Sequence, residues 1–118
     1  MVIKKGDVFM ADLGWGEGSE QGGVRPVVVL QNDVGNRYSN TVIVAPTSSQ
    51  HKPPIPTHIT VYNNDGGLWS CSTILLEQIR TIDKKRLGEK MGHLDEATMN
   101  AVDDAITISF GLRGEVEG

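Results

Sequence analysis

A single cysteine, Cys71, stands in a chain of 118 residues, so no internal disulfide can form. A Cys/His zinc site would need more thiols than that. Long apolar stretches are missing too. None exceeds the length of Val27 to Leu30, against the roughly 18 residues a membrane helix requires. There is no excess of positive charge: 11 Lys+Arg stand against 15 Asp+Glu, a net of −4. That argues against a generic basic nucleic-acid binder, although binding is local and net charge is a sum. Met1 to Asp7 carries Lys4, Lys5 and Asp7 where a signal peptide would be apolar, and the expected compartment is the cytoplasm. Low-complexity tracts and internal repeats are absent. One domain over residues 1–118 is expected.

What is present reads mostly as strand. Apolar residues make up 38% and charged ones 22%, a globular balance. Fourteen glycines and five prolines punctuate short segments whose period is nearer two than 3.6. Residues 7–13 place Phe9, Ala11 and Leu13 on one face. Residues 24–31 form a β-branched run fit for burial on both faces. Residues 41–45, 58–62 and 72–82, rich in Val, Ile and Thr, read as further strands. Loops are expected at 14–23, 33–40 and 46–56, with a turn at 63–67 and a solvated helical turn at Lys84-Lys85-Arg86. Cys71 between Ser70 and Ser72 reads as small and semi-buried.

The C-terminus changes period. Met99, Val102, Ile106 and Phe110 form one helical stripe, with Asp95 as N-cap, Leu94 stapled to Met99, and Gly111 as stop. The fold class is therefore mainly β within α+β: a small, strongly bent antiparallel sheet with a C-terminal α-helix.

No G-x-S-x-G elbow, H-E-x-x-H, P-loop or G-x-G-x-x-G string occurs. His51, His58 and His93 are candidates for an acid–base pair, though isolated histidines are more often structural or on the surface. The distinctive string is Gly18-Ser19-Glu20-Gln21-Gly22-Gly23-Val24-Arg25-Pro26. Pro26 pushes Arg25 toward an extended conformation and aims its guanidinium. A structural salt bridge at a strand start is the competing reading for Arg25.

With Gln31 to Arg37 and Leu75 to Asp83, this string resembles the MazF/PemK family of toxin endoribonucleases, from near Ile3 to the last helix. The resemblance implies an SH3-like small β-barrel that forms a homodimer. It implies metal-independent, cofactor-free cleavage of single-stranded RNA, commonly mRNA, leaving 2′,3′-cyclic phosphate and 5′-hydroxyl ends. A cognate antitoxin would block the RNA groove. The same barrel in related toxins poisons DNA gyrase, which supplies the alternative function.

Carried onto this chain, the resemblance makes Arg25 the catalytic arginine. Stabilising charge on the phosphorane suits a guanidinium better than proton transfer does, since arginine seldom gives up a proton. The family's catalytic threonine falls on Ser48 when counted from Arg25 without gaps, and on Thr47 if a residue bulges. RNA contacts by the same analogy are Ser19, Glu20, Gln21, Asn32, Ser49, Gln50, Glu77 and Gln78. Glu20 and Glu77 would accept from base amino groups or the guanine edge. Trp15 offers a stacking surface, and Arg37, Lys52 and Arg80 offer backbone contacts, each equally fit to be plain surface. Residues 1–94 hold 10 Lys+Arg and 9 Asp+Glu, whereas residues 95–118 hold 1 and 6. The region expected to handle RNA is therefore near neutral.

Overall fold

The computed structural model describes residues 1–62, 64–68 and 71–112. Asn63 of the expected turn, Ser70 beside Cys71, and the last residues of the acidic C-terminal stretch lie outside them. The sheet is built around β2 (Val24–Val29), whose Val27, Val28 and Val29 are each 0% exposed. Burying a valine contributes roughly 1.5–3 kcal/mol, so three in a row make this strand the centre of the fold. Side chains alternate across a strand, and the alternation feeds two cores. Val27 and Val29 join Phe9, Ala11, Leu13, Val42 and Val44 in one. Val28 and Leu30 join Val8, Ala45, Ile74, Leu76, Leu94 and Val102 in the other. Burial on both faces is as the β-branched run requires.

On one side β2 pairs antiparallel with β1 (Asp7–Asp12), Val8 opposite Val28. β1 pairs in turn with β7 (Leu87–His93). On the other side lies β3 (Thr41–Ser48), Val27 opposite Pro46. β3 is shared. Its first half pairs with β6 (Arg80–Asp83), and its end pairs with β5 (Ser72–Leu75), which carries β4 (His58–Val61) at the edge. The result is the expected small, strongly bent antiparallel sheet, with the C-terminal helix packed on it.

Residues 72–82 do not form one strand. Thr47 pairs with Ile74 and Val44 with Arg80, so Ala45 and Pro46 face five residues, 75–79. The three extra residues are extruded as a 3₁₀ turn, Leu76–Gln78. Pro46 lies at the mismatch, where a residue without an N–H weakens a regular ladder.

Other segments also depart from the sequence reading. Residues 33–40 are not all loop: Asp33–Tyr38 form helix α1, with Asn32 Oδ1 accepting from the Gly35 amide at 2.8 Å as N-cap. β3 continues through Thr47 and Ser48 instead of ending at Ala45. β7 was not expected, because Gly88, Glu89, Lys90 and Gly92 are poor strand formers. Pairing with β1 overrides that propensity. Lys84–Arg86 is a short 3₁₀ turn, as its position after Asp83 suggests. Cys71 is exposed, not semi-buried.

Helix α2 (Glu96–Phe110) starts on Asp95, whose carboxylate accepts from the Thr98 amide, and stops at Gly111 in the left-handed region. The Thr98 hydrogen bond holds the Asp95 carboxyl below its usual range. Val102 and Ala105 are the buried contacts, and Met99 and Ile106 pack beside them. Phe110, placed on the core stripe by periodicity, is 59% exposed at the end of the helix.

The turn Asp65–Gly67 wedges against β7 more tightly than any side chain allows. Gly67 has φ +78°, and a Cβ there would sit 2.2 Å from the Met91 carbonyl oxygen. Gly67→Ala should destabilise the protein by about 3 kcal/mol through strain and overpacking, read as a lower urea midpoint. A change below about 0.5 kcal/mol would show that the wedge is not constraining.

Candidate active site

The segment 14–23 between β1 and β2 is a loop closed on itself. Its neck is a pair of backbone bonds, Leu13 N to Gly23 O at 2.9 Å and Gly23 N to Gly14 O at 2.8 Å. Inside, Gly16 approaches the Glu20 carbonyl so closely that a Cβ would lie 2.5 Å from it. The Gln78 side chain then grips the loop with both ends of its amide. Its Oε1 accepts from the Gln21 amide at 2.8 Å, and its Nε2 donates to the Ser19 carbonyl at 3.1 Å. Arg80 Nη1 donates to the Leu13 carbonyl at the neck. Trp15 projects outward, 89% exposed.

Arg25 enters β2 directly after this loop and is half-buried. Its Nε donates to the Gly22 carbonyl at 2.8 Å and its Nη1 to the Thr47 carbonyl at 3.1 Å. Both partners are neutral. Among the described residues no carboxylate forms an ion pair with it, so Arg25 is not held by a structural salt bridge. Two of its five N–H bonds are used for positioning, and three remain to meet an anion. A fixed guanidinium with no counter-ion is an anion site by electrostatics alone.

The two candidate hydroxyls differ in what they hold. Extending the Val27–Pro46 register puts Pro26 across from Thr47 and Arg25 across from Ser48. Cross-strand partners project on the same face, so Ser48 shares a face with Arg25. Thr47 lines the same cleft of about 320 Å³ as Arg25, Pro26 and Ser49. However, Thr47 Oγ1 donates its only hydrogen to the Pro26 carbonyl at 2.8 Å. Ser48 does not line that cleft and is 4% exposed. Its Oγ accepts from the Gln50 amide at 3.2 Å, and that contact leaves the hydroxyl hydrogen uncommitted.

A second hollow of about 420 Å³ gathers Glu20, Gln21, Pro46, Glu77, Gln78 and Arg80. Ser49 and Gln50 line a third of about 670 Å³, with Lys52, Pro53 and His58. The structure thus brings nearly all the expected residues to the two sides of the β3 end. Asn32 stands apart, capping α1 beyond the far end of β2. Arg37 also lies on α1, over the Tyr38 ring at 5.3 Å. His58, weighed in the sequence only as one of an acid–base pair, bonds Glu77 Oε2 through Nε2 at 2.6 Å and the Pro53 carbonyl through Nδ1 at 2.8 Å. His93 is on Asp7, a buried carboxylate that Lys90 also meets. Among the described residues no cluster of three metal-ligating side chains occurs.

Fold and site together define a class: a small bent-sheet protein with a carbonyl-oriented arginine between two polar loops. The chain belongs to the PemK-like, MazF-like toxins of type II toxin–antitoxin systems, whose family model matches residues 4–110. It is 54% identical over 113 residues to endoribonuclease EndoA of Bacillus subtilis (strain 168), covering 95% of this chain and 97% of that one. It is 56% identical over 112 residues to endoribonuclease MazF of Staphylococcus epidermidis, covering 94% and 93%. Among solved structures, a mycobacterial endoribonuclease in complex with its cognate antitoxin superposes with TM-score 0.81 at 26% identity, covering 96% of this chain and 99% of that one.

If Gln78 holds the 14–23 loop, its removal should loosen the loop and leave the core intact. Gln78→Ala should speed hydrogen exchange at the Gln21 amide about tenfold while leaving the β2 amides protected. Unchanged exchange at Gln21 would show that the loop holds itself.

Proposed function

We propose that this toxin is an endoribonuclease that cuts single-stranded mRNA by attack of the ribose 2′-hydroxyl oxygen on the adjacent phosphorus. The 2′-hydroxyl proton passes to water, the P–O5′ bond breaks, the 5′-oxygen takes up a proton from water, and the products carry a 2′,3′-cyclic phosphate and a 5′-hydroxyl. The observation that supports this reading is Arg25: half-buried, oriented by two carbonyls, and without a carboxylate partner. The phosphorane carries more charge on its oxygens than the starting diester. A preorganised cation therefore lowers the barrier by binding the transition state better than the substrate. Arg25 acts electrostatically in this scheme.

Ser48 is the hydroxyl assigned to a phosphate oxygen, because its hydrogen is free and it shares Arg25's face, whereas Thr47's is committed to Pro26. Glu20, Gln21, Glu77 and Gln78, with Ser49 and Gln50, line the path of the bases, and Ser19 lies beside them through its carbonyl bond to Gln78. The reaction as drawn uses no metal or cofactor. The toxin acts as one domain in a homodimer in the cytoplasm, and a cognate antitoxin silences it by covering the groove. No helix among the described residues is long and apolar enough to cross a membrane.

Incubating the protein with a long RNA in EDTA should give discrete fragments with cyclic-phosphate ends. Arg25→Ala should cut about 10²–10³-fold more slowly, and Ser48→Ala about tenfold more slowly. Thr47→Ala should act mainly on stability. Full activity in Arg25→Ala would overturn the mechanism. Loss in Thr47→Ala alone, with folding intact, would move the hydroxyl role by one residue.

A further inference from the structure

We propose that His58 is a positioning residue. Bonded to the Glu77 carboxyl group on one side and the Pro53 carbonyl on the other, it latches the segment 49–57 onto the turn Leu76–Gln78 and so sets one wall of the groove. The inference deepens the reading of that groove as an RNA site and rests on it.

The His58 side chain is 6% exposed, and both of its nitrogens lie within hydrogen-bond distance of oxygen. The Pro53 oxygen is a carbonyl and can only accept, so Nδ1 carries the hydrogen of that bond. At Nε2 the partner is the Glu77 carboxyl group at 2.6 Å. One nearly buried ring therefore bridges the strap and the turn through both of its nitrogens.

The consequence lies in what Pro53 belongs to. Pro53, Pro54 and Pro56 stiffen the segment, since each ring fixes its own φ. The Pro53 carbonyl also accepts from the Ile55 amide at 2.9 Å, and the His58 amide donates to the Ile55 carbonyl at 2.9 Å. A stiff strap moves as a unit, so one anchor in its middle sets the height of Ser49 and Gln50 at its start. The turn that receives this anchor is the one that grips the opposite loop through Gln78. Adjacent residues of one three-residue turn therefore tie down both walls.

The test has one arm that needs no RNA. In His58→Ala, hydrogen exchange at the strap amides of Ile55 and of position 58 should quicken about tenfold while the β2 amides stay protected. Unchanged exchange at both strap amides would overturn the proposal. In RNA cleavage, His58→Ala should raise KM about tenfold and leave kcat within about twofold, because the strap is displaced while Arg25 is not. The double variant His58→Ala/Glu77→Ala should have a KM no higher than Glu77→Ala alone, because the two residues act as one unit. An unchanged KM in His58→Ala, or effects that simply add, would overturn the latch. Full activity in Arg25→Ala would instead overturn the cleavage mechanism, while the amide exchange would still decide the latch.

Discussion

The slip of three residues between the two strands that pair with β3 governs the site. Without it, residues 72–82 would run as one strand along β3 and offer only a flat ladder. With it, the extruded turn Leu76–Gln78 is anchored on all sides. Leu76 is 0% exposed in the core beneath α2. Its amide donates to the Thr57 carbonyl, and its carbonyl accepts from Ser109 Oγ of α2 at 2.8 Å. Main-chain and core anchors hold the turn rigid, and that leaves Glu77 and Gln78 to work outward. A polar residue on a tethered turn positions its neighbours far better than one on a free loop.

Arg25 illustrates the complementary constraint. Had a carboxylate oriented it, the positive charge would be largely neutralised before any substrate arrived. Carbonyl dipoles orient it and leave its charge intact, and in a half-buried setting that charge is less screened than on the surface. The near-neutral balance of residues 1–94 fits this economy. Long-range attraction for a phosphate chain is modest, so in the proposed reaction one well-placed cation would handle the reacting phosphate, and discrimination would fall to base edges. The acidity sits in α2 and the stretch after it, where Asp103 is paired with Lys5 at 2.8 Å.

The parts of this architecture visible in sequence are those where side-chain pattern and burial coincide. The β-branched run 24–31 read as a strand fit for burial on both faces, and Asp95 with Gly111 bracketed the final helix. The loop string ending in Arg25-Pro26 was legible because Pro26 restricts the residue before it. The strand break at Leu75 was not, since Thr73 to Ile82 remains apolar and β-branched across it, and only pairing to β3 exposes the mismatch. α1 was hidden because Gly35 and Asn36 favour turns, although Asn32 three residues before Gly35 is a cap signal in hindsight. β7 is made a strand by β1 alone. The grip of Gln78 on Ser19 and Gln21 spans almost half the chain, and no local pattern encodes that.

This division of labour separates two properties that a nuclease must tune independently. The charge proposed to stabilise the reacting phosphate is held by Gly22 at the end of the first loop, by Thr47 and by the start of β2. The groups that would read bases depend on one turn and two loops that hang from it. A substitution on the outer rim of either loop can alter which bases fit without moving Arg25, because it is Gly22, beside the neck, that meets the guanidinium. A substitution in the turn moves both walls together. Recognition in such a scaffold is changed safely at the rim and only as a whole at the turn.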